Sequence, residues 1–176
     1  MVASSWFMIV FRLLHIVSGV IWVGGVFLVV AFIQPSATAL GPAGGPFVQE
    51  LLERRRLPTF LLRAGMATVG AGLVLYWHAW RAAGSLGAWV GSRYGAVLTV
   101  GAVAALAALA LGASVVKPAL ERALALGAEL AAAGGSPPAE RVAELEAVRS
   151  RAQRASRTVL GLLIVSVLAM ATARYW

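Results

Sequence analysis

Of the 176 residues, 60% are hydrophobic and only 12% are charged, and the formal net charge is +8. A chain this apolar lacks the polar surface to cover a water-soluble globule of its length, which makes it an integral membrane protein. Its cations stand at the ends of apolar runs rather than on one basic face, which argues for orientation in a bilayer and against nucleic acid as a partner; the lack of cysteine excludes disulfides, thiolate metal sites and iron–sulfur clusters, and the lack of aspartate disfavours an Asp-based proton relay.

In chain order, four apolar spans are predicted. The first covers about 7–34 and stops at Pro35, whose ring and missing N–H interrupt the helical ladder. It is too long for a signal-peptide core, and Ser36-Ala-Thr-Ala-Leu-Gly is a poor cleavage site, so it is read as a mature helix. A loop from 35 to 56 follows, containing Gly41-Pro-Ala-Gly-Gly-Pro46 and the basic run Arg54-Arg55-Arg56, which is read as topogenic and lipid-binding. The second span covers about 57–80, with Pro58 tolerated in its first turn. A short connection, Ala82 to Ser92, leads to the third at about 93–116, and the fourth covers about 158–175, near the lower limit for a ~30 Å hydrocarbon core.

Between the last two spans, 117–157 regains charge and carries apolar residues at Leu120, Leu124, Val142, Leu145 and Val148, broken by Gly134-Gly-Ser-Pro-Pro138. This pattern predicts a helical hairpin that extends the third and fourth spans out of the membrane. The fold class is therefore all-α, a single four-helix transmembrane bundle with a cytoplasmic helical-hairpin extension between helices 3 and 4. Its side of the bilayer follows from Lys and Arg. Arg54, Arg55, Arg56, Arg63, Lys117, Arg122, Arg141, Arg149, Arg151, Arg154 and Arg157 fall on the side of the 35–56 loop and the hairpin, and only Arg12, Arg81, Arg93 and Arg174 on the other. The positive-inside rule makes the crowded side cytoplasmic and puts both termini outside, in a multi-pass protein of the inner (plasma) membrane.

The two histidines are each three residues from an arginine, Arg12-Leu-Leu-His15 and His78-Ala-Trp-Arg81. With antiparallel spans, both pairs are expected at one depth near the outer side. His15 shares a helical stripe with Ser18 or Gly19, Trp22 and Gly25, and His78 with Leu75 or Val74, Ala71, Thr68 and Ala64, two mostly small-residue faces suited to close approach. Small residues beside Trp22 could leave a slot for a planar ligand. An imidazole in lipid needs a polar partner or a metal, so His15 and His78 are candidate metal ligands, axial to a b-type haem whose propionates Arg12, Arg81 or Arg93 would neutralise. The competing expectation is that His15 hydrogen-bonds a backbone carbonyl or a hydroxyl across helices, and that His78 joins Tyr76, Trp77 and Trp80 in an interfacial belt that also includes Trp6, Trp89 and Trp176. No catalytic residue is singled out, and the Gly and Ala face of the third span is a candidate for self-association into a homo-oligomer.

The segment His15-Ile-Val-Ser-Gly-Val-Ile-Trp22-Val-Gly24-Gly25, with Arg12 ahead of it, resembles the first-helix signature of small bacterial membrane proteins related to the copper-resistance protein D family, and to their relative the oxygen-independent membrane protoporphyrinogen oxidase. Trp89-Val-Gly-Ser-Arg93 resembles that family's Trp followed four residues later by a cation. The resemblance implies a bundle of four to five helices that binds haem or porphyrin, with His15 and Arg93 as functional positions. Gly91 stands where the oxidase pattern has a histidine, so haem binding is expected rather than porphyrinogen oxidation. The leading expectation is a bis-histidine cytochrome b-type carrier exchanging electrons with a quinone or a redox protein; the alternatives are a copper-handling membrane protein and a non-catalytic subunit docking a partner through the hairpin.

Overall fold

The computed structural model describes residues 2–133 and 137–176, and among them it is helical with no strand. Helix α1 (Val2–Leu28) runs through a π-helical turn at Val29–Ile33 into α2 (Gln34–Ala39). The helix therefore does not stop at Pro35. The Gln34 N–H donates to the Val29 carbonyl, five residues back, and the widened turn absorbs the bond that proline cannot make. The expected loop is largely helical as well: α3 (Gly45–Gln49) leads into another π-helical turn, Glu50–Arg54, and Arg56 at φ 49° reverses the chain into α4 (Leu57–Ala82).

The connection after α4 holds a short helix, α5 (Leu86–Gly91), started by Ser85 Oγ accepting from the Ala88 N–H at 3.1 Å. Helix α6 (Arg93–Leu111) starts the same way, Ser92 Oγ accepting from the Gly95 N–H at 3.0 Å. It continues through a π-helical turn at Gly112–Val116 into α7 (Lys117–Ala132), where the Lys117 N–H bonds the Gly112 carbonyl just ahead of Pro118. Of the expected turn, Gly134, Gly135 and Ser136 lie outside the described residues; α8 (Ala139–Thr172) begins directly after Pro138.

Among the described residues, four helical stretches are long and apolar enough to cross a membrane: Ser5–Ala39, Leu57–Ala82, Arg93–Ala132 and Ala139–Tyr175. They pack chiefly as two pairs, α1 on α4 and α6 on α8, with lesser α4–α6 and α1–α8 contacts. Trp22, Ala108, Val159 and Leu163 form the buried centre that joins the pairs, with Val26, Leu61, Ala64 and Leu109 packed around it. Large apolar side chains such as Val17, Val20, Val103 and Leu168 point outward, which suits lipid and not water. The small face of α6 is already used within the chain, since Gly101, Ala104, Ala105 and Ala108 are buried and a Cβ on Gly101 would come 3.1 Å from Ala169 Cβ and 3.2 Å from the Ser166 carbonyl.

Helix α7 packs on α8 with Leu126 and Leu145 buried. Ion pairs surround them: Arg122 to Glu144 at 2.7 Å, Arg141 to Glu144 at 2.8 Å and Arg141 to Glu129 at 2.5 Å. The Arg122 hydrogen bond, with Arg141 behind it, holds the Glu144 carboxyl below its ordinary range against the opposing effect of desolvation.

Candidate functional site

The α1–α4 interface is a series of large side chains seated on small ones. Leu61 faces Gly25, Trp22 faces Gly65, Thr68 faces Gly19 and His15 faces Gly72. Along α4 these positions lie four, three and four residues apart, and along α1 their partners Gly25, Trp22, Gly19 and His15 lie three, three and four apart, so each set lines one face of its helix. Fit at the seam is close. A Cβ on Gly65 would lie 2.7 Å from Trp22 Cε2, and one on Gly72 would lie 2.8 Å from His15 Cε1. Trp22, 4% exposed, thus fills the space beside the small residues instead of bordering a slot.

His15 reaches across this seam. Its Nδ1 lies 2.8 Å from the Thr68 carbonyl oxygen, which can only accept, so Nδ1 carries the proton, and in the neutral imidazole Nε2 keeps a free lone pair. The ring is half-buried, and Nε2 accepts no hydrogen bond from a described residue. Ser18 and Thr68 add a small polar cluster one turn deeper. The Ser18 hydroxyl donates to the Leu14 carbonyl at 2.5 Å, while Thr68 Oγ1 lies 2.9 Å from Ser18 Oγ and 2.8 Å from the Ala64 carbonyl, sharing one proton between them.

The other expected ligand lies elsewhere. The His15 ring sits at the level of Gly72, and from Gly72 to His78 the helix rises about 9 Å, so the two histidines are not at one depth. Register is set by the seating of Trp22 on Gly65 rather than by the ends of the apolar spans. His78 is exposed. Arg12, one turn from His15, is exposed too, and Arg81 stacks its guanidinium 5.1 Å from the Trp77 ring centre. Arg93 is exposed at the first turn of α6. No hydrogen bond or ion pair among the described residues joins His78, Arg81 or Arg93 to His15, and no group of three or more His, Cys, Asp or Glu able to hold a metal ion occurs among them.

A second cluster has no counterpart among the expected sites. Trp89 is only 7% exposed and therefore does not belong to the interfacial belt. It meets Tyr76 and Tyr94 edge-on, with ring centres 5.9 and 5.5 Å away, and Tyr76 Oη bonds Thr99 Oγ1 at 2.7 Å. Gly95 is required beneath it, because a Cβ there would fall 1.9 Å from the Trp89 carbonyl oxygen. The indole Nε1 is buried without a hydrogen-bond partner among the described residues. The signal in the sequence is the pair of serine caps, Ser85 and Ser92, bracketing a segment too short to register as an apolar run.

Compared with protein-family models, curated proteins and solved structures, the chain matches none.

Proposed function

We propose that this multi-pass membrane protein binds a b-type haem through His15 near the outer end of α1 and α4, with both termini outside the inner membrane and the α7–α8 hairpin in the cytoplasm. The observation that carries the reading is the 2.8 Å bond from His15 Nδ1 to the Thr68 carbonyl. A ligating histidine characteristically donates its other ring N–H to a carbonyl or carboxylate, which fixes the tautomer and aims the free nitrogen. The likeness of the His15 to Gly25 segment to haem-binding copper-resistance D-like proteins supports the same residue.

His15 would hold the haem iron; the pair His15 and His78 does not suit one haem held between α1 and α4. That interface is filled by Trp22 on Gly65 and by the His15 ring itself on Gly72, and His78 lies about 9 Å further along α4. Ligation therefore rests on His15, and Arg12, three residues before it on α1, is the cation that would pair with a propionate. When bound, haem supplies one-electron chemistry. The chain contributes an imidazole of fixed tautomer, a nearby positive charge and an apolar surround, and an outer-side quinone or redox protein would be its exchange partner. Full-length protein purified from haem-replete cells is expected to be red, with a Soret band and a reduced-minus-oxidised alpha band; a colourless preparation, or histidine-dependent copper binding without a Soret band, contradicts the reading.

A further inference from the structure

A groove of about 370 Å³ opens where the first apolar helix ends beside α8, lined by Val30, Gln34, Pro35 and Thr38 on one wall and Gln153 and Arg157 on the other. We propose that this groove binds the phosphate of an anionic phospholipid headgroup. The proposal is independent of the haem reading and uses only the place where the apolar spans stop.

Depth is the first support. Arg157 is the last charged residue before the apolar stretch that starts at Thr158, and the facing wall, Val30 to Thr38, is where the apolar run that follows Ser18 gives way to amide and hydroxyl side chains. A groove apolar at one end and polar at the other, at this boundary, matches the glycerol and phosphate level of a bilayer leaflet. Two amides and a guanidinium supply donors for phosphate oxygens, whereas the Thr38 hydroxyl is occupied in donating to the Gln34 carbonyl at 2.9 Å.

Uneven pairing of charge is the second support. At the far end of the hairpin Arg122 and Arg141 are neutralised by Glu129 and Glu144, and Lys117, at the membrane end of α7, is paired with Glu121 at 2.6 Å. The arginines of α8 that lead to the groove are not paired. Arg149, Arg151, Arg154 and Arg157 follow one another with no acidic residue between them, and none has a carboxylate within ion-pair distance among the described residues. Among the described residues the Arg154 guanidinium donates to the Ser150 hydroxyl, at 2.5 Å. Uncompensated positive charge is thus concentrated in the turns next to the groove, and Arg157 is the member that lines it.

The test uses full-length protein in a neutral detergent, with native mass spectrometry after addition of phosphatidylglycerol or phosphatidylcholine. Phosphatidylglycerol should be retained in preference to phosphatidylcholine. Arg157→Gln should lower its retention about fivefold, the effect of one arginine at a charged lipid surface, while Arg149→Gln, outside the groove, should leave it unchanged. Arg157 is exposed and unpaired, so the variant keeps its fold, which circular dichroism checks. Equal retention by wild type and Arg157→Gln, or an equal loss in Arg149→Gln, overturns the site. Displacement of the lipid by inorganic phosphate alone assigns a soluble anion instead and overturns the lipid proposal.

Discussion

The α1–α4 and α6–α8 pairs are both antiparallel and both rich in small residues, yet they close differently. Between α6 and α8, the close-packed glycine meets chiefly a methyl and backbone, Gly101 against Ala169 and the Ser166 carbonyl with Met170 Cγ at 3.4 Å, while Val159 and Leu163 pack with Ala108. Between α1 and α4, each glycine receives a large or polar side chain, and one of these is the imidazole of His15. Small-on-small packing brings backbones together and leaves little room for chemistry. Seating large groups on glycine brings a ring nitrogen against the neighbouring helix backbone, so the candidate site belongs to the first pair.

Substitutions at the two seams test that contrast. The largest effect is expected at Trp22→Ala, about 3–5 kcal/mol, because the indole lies in the centre shared by both pairs; denaturant unfolding in mixed micelles reads it. Gly65→Ala should follow at about 1–3 kcal/mol, since its Cβ would enter the indole, and Gly101→Ala should cost less, because its closest neighbour is the Ala169 methyl. Gly24→Ala, with nothing within 4 Å of the new methyl, is the neutral control. If Gly101→Ala destabilises more than Gly65→Ala, the difference between the seams disappears.

Polar contacts predict smaller changes. Thr68→Val keeps the carbonyl that His15 uses but removes the hydroxyl beside Ser18, and should cost about 0.6 kcal/mol, the average for a hydrogen bond between membrane helices. The smallest effect is expected in the hairpin. Glu144 has its folded pKa lowered, so its contribution is complete above the ordinary carboxylate range and is lost as pH falls through the depressed folded value. Spin labels at Ala125→Cys and Ala147→Cys should report a looser α7–α8 pair on acidification, and that response should be absent in Glu144→Gln.

Much of the bundle was legible in the sequence because hydropathy and helical period act locally. The four apolar stretches, the stripe of His15, Ser18, Trp22 and Gly25, and the small face of α6 were all readable. The end of the first helix was not, because Pro35 follows a π-helical turn that lets the helix continue, as Pro118 does within the expected extension of the third span. The depth of the histidines was misread for a related reason: which glycine accepts Trp22 decides the register, and span ends do not encode that choice. Trp89 was assigned to the belt because composition cannot distinguish an interfacial tryptophan from one folded inward by a six-residue helix.

The most direct test of the central claim is the absorption spectrum of two variants compared side by side. His15→Ala should abolish the Soret and alpha bands, and His78→Ala should retain both, because only His15 has its tautomer fixed by a backbone carbonyl. Bands that survive His15→Ala, or that vanish in His78→Ala, would contradict it.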